Sequence, residues 1–309
     1  MRGSHIKSSE YARPYYDLII DDLQRGRDID PHRFSMGDIF AAVYNDQLQP
    51  SRGEKAVLTV PSVPFMAVII SGFINEIYPE PAFNKAMQAL KQQCKLDFIP
   101  FKIPGRRGCD YNADCIAEQI KALKTPKPLW LVAHSKGGLD SLHFLAKYPQ
   151  LAQEKVWGLS TLASPIMGST YPEHFLLKHL TDEFIQKKLE EQADFYPEEI
   201  RNSFLPAIRE AWFKDHRPHL PPINYSSLAF KLSSYTVSPA MSITKMIFAE
   251  KLNNDGLVDT TRALFPEDFP HLDFNAIEAD HLIGYSKDPI PQTAIIAAHL
   301  IMFKYLHLI

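Results

Sequence analysis

Ala133-His134-Ser135-Lys136-Gly137 follows the apolar run Leu129-Trp130-Leu131-Val132 and leads into a helical pattern from Gly138 to about Tyr148. Strand, sharp turn and helix form the setting that holds a serine hydroxyl exposed on a strained turn. The next backbone N–H then points to where a reacting carbonyl oxygen would lie. Small residues two before and two after the serine let the strand and helix close around it. Here they are Ala133 and Gly137. Glycine is usual at the first of these positions, and alanine is the mildest departure from it. The string is short enough to arise by chance, and its place at a strand–helix junction is what gives it weight. The plain alternative is a Ser-Lys-Gly-Gly turn that carries no chemistry.

A serine hydroxyl is a weak nucleophile until a base takes its proton. The base is usually a histidine held in one tautomer by a carboxylate. On a strand–turn–helix scaffold the chain order is serine, acid, histidine. Downstream, Asn253-Asn254-Asp255-Gly256-Leu257-Val258-Asp259 supplies a tight Asx-Asp-Gly turn able to present a carboxylate. His281 follows an extended pattern over residues 274–279 through Asp280. The candidate set is Ser135, Asp255 and His281. Asp259 is the second choice of acid and Asp280 the third. His271 is the rival base, but it precedes the last strand. The side chain of His134 is expected to point away from the turn. His143, His174, His179, His216 and His219 read as surface or cap residues.

An oxyanion needs two preorganised donors, and losing one costs roughly 3–4 kcal/mol of transition-state stabilisation. One candidate is the Lys136 backbone N–H. The other is the Phe73 N–H, in the loop Ser71-Gly72-Phe73-Ile74 that follows an apolar stretch over residues 65–70. A plain strand-to-loop glycine is the alternative reading of Gly72.

Working outward, residues 15–24, 35–47, 80–95 and 112–123 carry helical patterns. Residues 55–60, 65–70, 96–103, 129–132, 156–162, 224–232 and 274–279 read as extended. Strands alternating with helices imply an α/β fold, a mostly parallel sheet with helices on both faces. Residues 167–222 break that rhythm. Leu177, Leu180 and Phe184 share one helical face, and Ile200, Phe204, Ile208 and Trp212 recur every four residues. This segment reads as a helical cap over the site, with Phe175, Phe184 and Phe204 as candidates to bind an acyl chain. The alternative is an ordinary helix pair packed on the core. The expected division is a tag over residues 1–10, a core over 11–166 and 223–309, and a cap over 167–222.

Apolar residues make up 45% of the 309, so a large core is expected and disorder is not. The net charge of −3 argues against a nucleic-acid or anionic-membrane partner. Three cysteines, Cys94, Cys109 and Cys115, exclude a disulfide framework but leave room for one bridge. Met1-Arg2-Gly3-Ser4-His5 looks like an expression-vector remnant. The compartment is not legible; the cytoplasm is slightly favoured, with secretion left open should a leader have been removed. The apolar stretch over residues 294–309 is interrupted by His299, Lys304 and His307, and reads as a terminal core helix rather than a transmembrane segment. The oligomeric state is not legible.

Five stretches together resemble the α/β-hydrolases of the bacterial triacylglycerol lipase type. They are Ser71-Gly72-Phe73, Ala133–Asp140, Ala163-Ser164-Pro165 with Gly168-Ser169, Asn254-Asp255-Gly256-Leu257-Val258, and Asp280-His281-Leu282. They come in the family's order and span residues 65–285. The resemblance implies the α/β-hydrolase fold, assigns Asp255 rather than Asp259 as the acid, and implies ester hydrolysis through an acyl-enzyme on a small-molecule or lipid ester. The chain departs from the family twice. Ser71 stands where the family's first motif has histidine, and Ile283 stands where many relatives carry an aspartate that helps hold calcium. No metal and no cofactor is therefore expected. An acyltransferase, a thioesterase or a polyester depolymerase would use the same site, and a binding protein on the same scaffold would lack the chemistry.

Overall fold

The computed structural model describes residues 8–73, 75–169, 196–232 and 253–309. The helices are α1 Ser8–Gln24, α2 Met36–Gln47, α3 Asn84–Cys94, α4 Cys109–Ala122, α5 Lys136–Lys147, α6 Pro149–Lys155, α7 Pro197–Phe204, α8 Pro206–His216 and α9 Pro289–Tyr305. The strands are β1 Met66–Ile70, β2 Asp97–Pro100, β3 Leu129–His134, β4 Val156–Leu162, β5 Asn224–Lys231 and β6 Leu272–Glu278. The chain divides into two units. One holds α1, α2, Lys85–Lys95 and Asp288–Ile309; the other holds Pro64–Asn84 and Leu96–Lys287.

The second unit is built on one sheet of order β2-β1-β3-β4-β5-β6, parallel at every pairing. Every residue of β3 is buried, as an uninterrupted apolar run in a parallel sheet must be. Trp130 keeps its indole satisfied inside by donating to Ser160 Oγ at 2.9 Å, which itself meets Ser226 Oγ at 2.7 Å. Three neighbouring strands are thereby tied across their interior. In α4 the residues Ala113, Ile116, Ala117 and Ile120 form one face and join Val68, Leu131 and Leu142 in a common core. With all six strands parallel, their carboxyl ends lie on one edge, where ligands of open α/β sheets are bound.

In the first unit, Ser35 and Asp38 form a reciprocal capping box that starts α2. α9 opens on Asp288, whose carboxylate accepts from Ile290 N–H, with Pro289 in the first helical position. The interrupting His299 stays inside the helix by donating from Nδ1 to the Ile295 carbonyl at 2.8 Å.

Two expectations of secondary structure need correction. Residues 55–60 form no strand, because Val57 and Leu58 give their N–H groups to the Asp46 carboxylate and the Leu58 carbonyl takes the Gln47 amide. Those backbone groups are therefore unavailable to a sheet. The four-residue rhythm of Ile200, Phe204, Ile208 and Trp212 does not lie on one helix. Pro206 has no N–H and would clash with the preceding turn, so α7 ends at Phe204 and α8 starts at Pro206. Ile200 and Phe204 are buried, whereas Ile208 is 40% exposed. The short helix α6, which is not among the expected elements, has Pro149 in its first turn.

Candidate active site

The turn after β3 has the strain its sequence implies. Ser135 sits at φ 54° and ψ −129°, a region that costs a non-glycine residue about 1–3 kcal/mol. Its own N–H is anchored to the Leu162 carbonyl at 2.9 Å, and its carbonyl receives Gly138 N–H at 3.0 Å. Glycine is required at two flanking positions. A Cβ on Gly72 would lie 2.6 Å from Ser135 Cβ, and one on Gly137 would overlap the Ile70 and Ser71 carbonyl oxygens. The loop after β1 therefore lies directly against the serine.

Asp255 is held by its own turn. Oδ1 accepts Leu257 N–H at 2.9 Å and Val258 N–H at 2.8 Å, while Gly256 takes φ 100°. That leaves Oδ2 for His281 Nδ1, 2.7 Å away. A carboxylate can only accept, so Nδ1 carries the proton and Nε2 presents a lone pair. Ser135 Oγ stands 2.8 Å from that Nε2. Ser135, Asp255 and His281 are 8%, 1% and 4% exposed, so the chain of hydrogen bonds is shielded from water. The rivals lie elsewhere. Asp280 caps its own loop through Leu282 N–H, and His271 bonds the Phe269 carbonyl ahead of β6.

Lys136 is the first residue of α5, where a backbone N–H has no acceptor in its own helix. Its side chain is fully buried and meets Asp140 Oδ1 at 2.6 Å, and Asn112 donates to Asp140 Oδ2 at 2.9 Å. Phe73 is half-buried and packs against Phe204, ring centroids 6.2 Å apart, beside Leu139, Ile200 and Cys109. Phe204 thus lies next to the proposed oxyanion loop. Phe175 and Phe184, like Leu177, Leu180, His174 and His179, lie outside the described residues.

His143 is no surface residue. Its Nε2 accepts from the buried Arg209 at 2.8 Å, so its Nδ1 donates to Asp110, 2.7 Å away. The neutral ring relays between a guanidinium and a carboxylate, and it stacks on Trp212 at 4.1 Å. Burial pushes the imidazole down to about 4, and burial pushes that of His134 down to about 3. Both folded values lie below the unfolded value near 6.5, so the unfolded chain takes up the extra protons. The stability these rings support is whole above pH 6.5 and is lost as pH falls towards 4. At pH 5 the loss is about 2 kcal/mol for each ring. Urea unfolding followed at pH 7 and pH 5 should show a lower midpoint at pH 5, and equal midpoints would refute the assignment.

The Cys109 thiol is buried and pushed up to about 12, away from thiolate chemistry. All three cysteines are unbridged. Among the described residues no group of three or more His, Cys, Asp or Glu side chains is placed to hold a metal ion, and no helix is long and apolar enough to cross a membrane.

No protein-family model matches the sequence, and no curated protein matches it. Solved structures do match. A carboxyl esterase of metagenomic origin superposes with a TM-score of 0.67 at 24% identity, over 82% of this chain and 79% of that one. The chain has the α/β-hydrolase fold. A lipase from Bacillus licheniformis in its mature form is similar with a TM-score of 0.54 at 19% identity, over 73% of this chain and 88% of that one. Ser135 directly follows β3, a central strand of the sheet. Sequence reasoning overlooked the buried Lys136–Asp140 pair. Its signal was the four-residue spacing of opposite charges on one helix.

Proposed function

We propose that the chain is a serine carboxylic-ester hydrolase. The observation that supports this best is the buried series Asp255, His281, Ser135, joined at 2.7 Å and 2.8 Å. Ser135 Oγ attacks the ester carbonyl while His281 Nε2 takes its proton, and Asp255 steadies the resulting imidazolium. The Lys136 and Phe73 N–H groups receive the oxyanion. His281 then returns the proton to the departing alcohol, leaving an acyl group on Ser135. A water molecule activated by the same imidazole releases the acid. Phe204, with Phe175 and Phe184 from the cap over residues 167–222, binds the acyl chain. The substrate is a small-molecule or lipid ester.

The test is hydrolysis of p-nitrophenyl esters of increasing acyl length, with a fluorophosphonate probe alongside. Activity with covalent labelling of Ser135 is expected. A folded protein that is neither labelled nor active on any ester would overturn the reading in favour of a binding scaffold. Analysis of products with an added alcohol acceptor separates hydrolysis from acyl transfer.

A further inference from the structure

His134 precedes the proposed nucleophile, yet the mechanism above gives it no task. The side chain is nevertheless far from idle. The ring is 2% exposed, and its Nε2 stands 2.9 Å from the backbone carbonyl of His281. A carbonyl only accepts, so Nε2 carries the proton. In the neutral ring Nδ1 is then a bare lone pair, and among the described residues it meets no hydrogen-bond partner. Among the described residues the imidazole therefore makes one polar contact, and that contact is with the residue that supplies the base.

The surroundings fix the ring in place. Phe83 and Tyr285 present their edges or faces to it at 5.6 Å and 5.8 Å, and the His281 ring lies at 5.2 Å. Tyr285 is itself stacked on Tyr78 at 3.9 Å, and Phe83 N–H holds the Gly284 carbonyl at 2.7 Å. The peptide groups of His281 are consequently pinned on both sides. Its N–H donates to the Asp255 carbonyl at 3.0 Å, and its carbonyl accepts from His134. One tether leads to the acid's turn and the other to the nucleophile's strand.

We propose that His134 is a positioning residue, whose Nε2–H holds the His281 carbonyl and so sets the distance between the base and Ser135. This rests on the hydrolase reading above. Proton transfer from serine to imidazole needs a heavy-atom separation of about 2.6–3.2 Å. A side chain on the residue next to the nucleophile is well placed to guard that separation, because it moves with Ser135. Phenylalanine at position 134 would fill the same aromatic box without the donor. Glutamine would return an amide N–H at about the reach of Nε2.

The experiment compares wild type, His134→Phe, His134→Gln and Ser135→Ala on one short-chain p-nitrophenyl ester. His134→Phe is expected to lower kcat roughly 10- to 100-fold, the scale of small misplacements in an active site. KM should stay within about twofold, because substrate contacts are untouched. His134→Gln should recover most of the loss. A His134→Phe enzyme with wild-type kcat overturns the proposal, as does a folded His134→Gln no better than His134→Phe. An inactive wild type would instead overturn the hydrolase reading. Should His134→Phe fail to fold, imidazole nitrogen NMR of the wild type decides. His134, facing His281 and Tyr285, should show the Nε2–H tautomer and take up no proton from pH 8 to pH 5. An Nδ1–H tautomer or a titration in that range overturns the contact.

Discussion

Ser135→Ala and His281→Ala are each expected to lower kcat for ester hydrolysis by about a millionfold, and the double variant should lose little more. Such non-additivity follows from the geometry. Ser135 Oγ is 2.8 Å from His281 Nε2, and neither group has a use in the acyl-transfer step without the other. Asp255→Asn should cost less, about ten-thousandfold, and for a separable reason. Asp255 Oδ1 is already committed to the N–H groups of Leu257 and Val258, which require an acceptor. The amide nitrogen of asparagine must therefore take the place of Oδ2 and face His281. An NH₂ donor there forces the imidazole to accept at Nδ1 and to carry its proton on Nε2. The base would then point a proton at the serine rather than a lone pair. Single-turnover hydrolysis of an activated ester measures all four variants on one scale. A loss under a hundredfold for either alanine variant would mean that another residue performs the chemistry.

The proposed triad was legible because each member sits in a local device that sequence can spell. Ser135 needs small neighbours on a strand–helix turn, Asp255 needs an Asx-Asp-Gly turn, and His281 needs a strand just before it. The parallel sheet was legible for a similar reason, since β3 and β4 are apolar runs between helical patterns. What could not be read depends on partners distant in sequence. Residues 55–60 look extended until Asp46 takes their N–H groups. His143 looks like a surface residue until Arg209, from a helix 66 positions on, supplies its proton donor. His134 looks spare until the chain returns with His281, 147 positions later. The break between α7 and α8 was legible in Pro206, and a four-residue apolar rhythm masked it.

Asp140→Ala should be the most destabilising single change near the site, at about 3–5 kcal/mol, the usual cost of stranding a buried charge. The Lys136 ammonium and the Asp140 carboxylate are both essentially inaccessible, and Asn112 fills the carboxylate's other oxygen. Removing the carboxylate leaves the ammonium with no counter-charge and the Asn112 amide with one acceptor fewer. Lys136→Met is expected to differ in its pH dependence. Burial raises the Asp140 carboxyl, with Lys136 the main force holding it down. Without that lysine the folded state would bind a proton that the unfolded chain releases at neutral pH. A raised carboxyl loses stability as pH rises, so Lys136→Met should be closest to wild type near pH 5 and furthest from it near pH 8. Asp140→Ala should show no such relief at low pH. The double variant Lys136→Met with Asp140→Leu buries no charge and should regain most of the loss. Urea midpoints for the three variants at pH 5 and pH 8 test every part of this. Because the ion pair spans the first turn of α5, the two single variants should also disturb the Lys136 N–H proposed to receive the oxyanion. Their kcat should therefore fall while they remain folded, and a stable Asp140→Ala enzyme with unchanged kcat would refute the link.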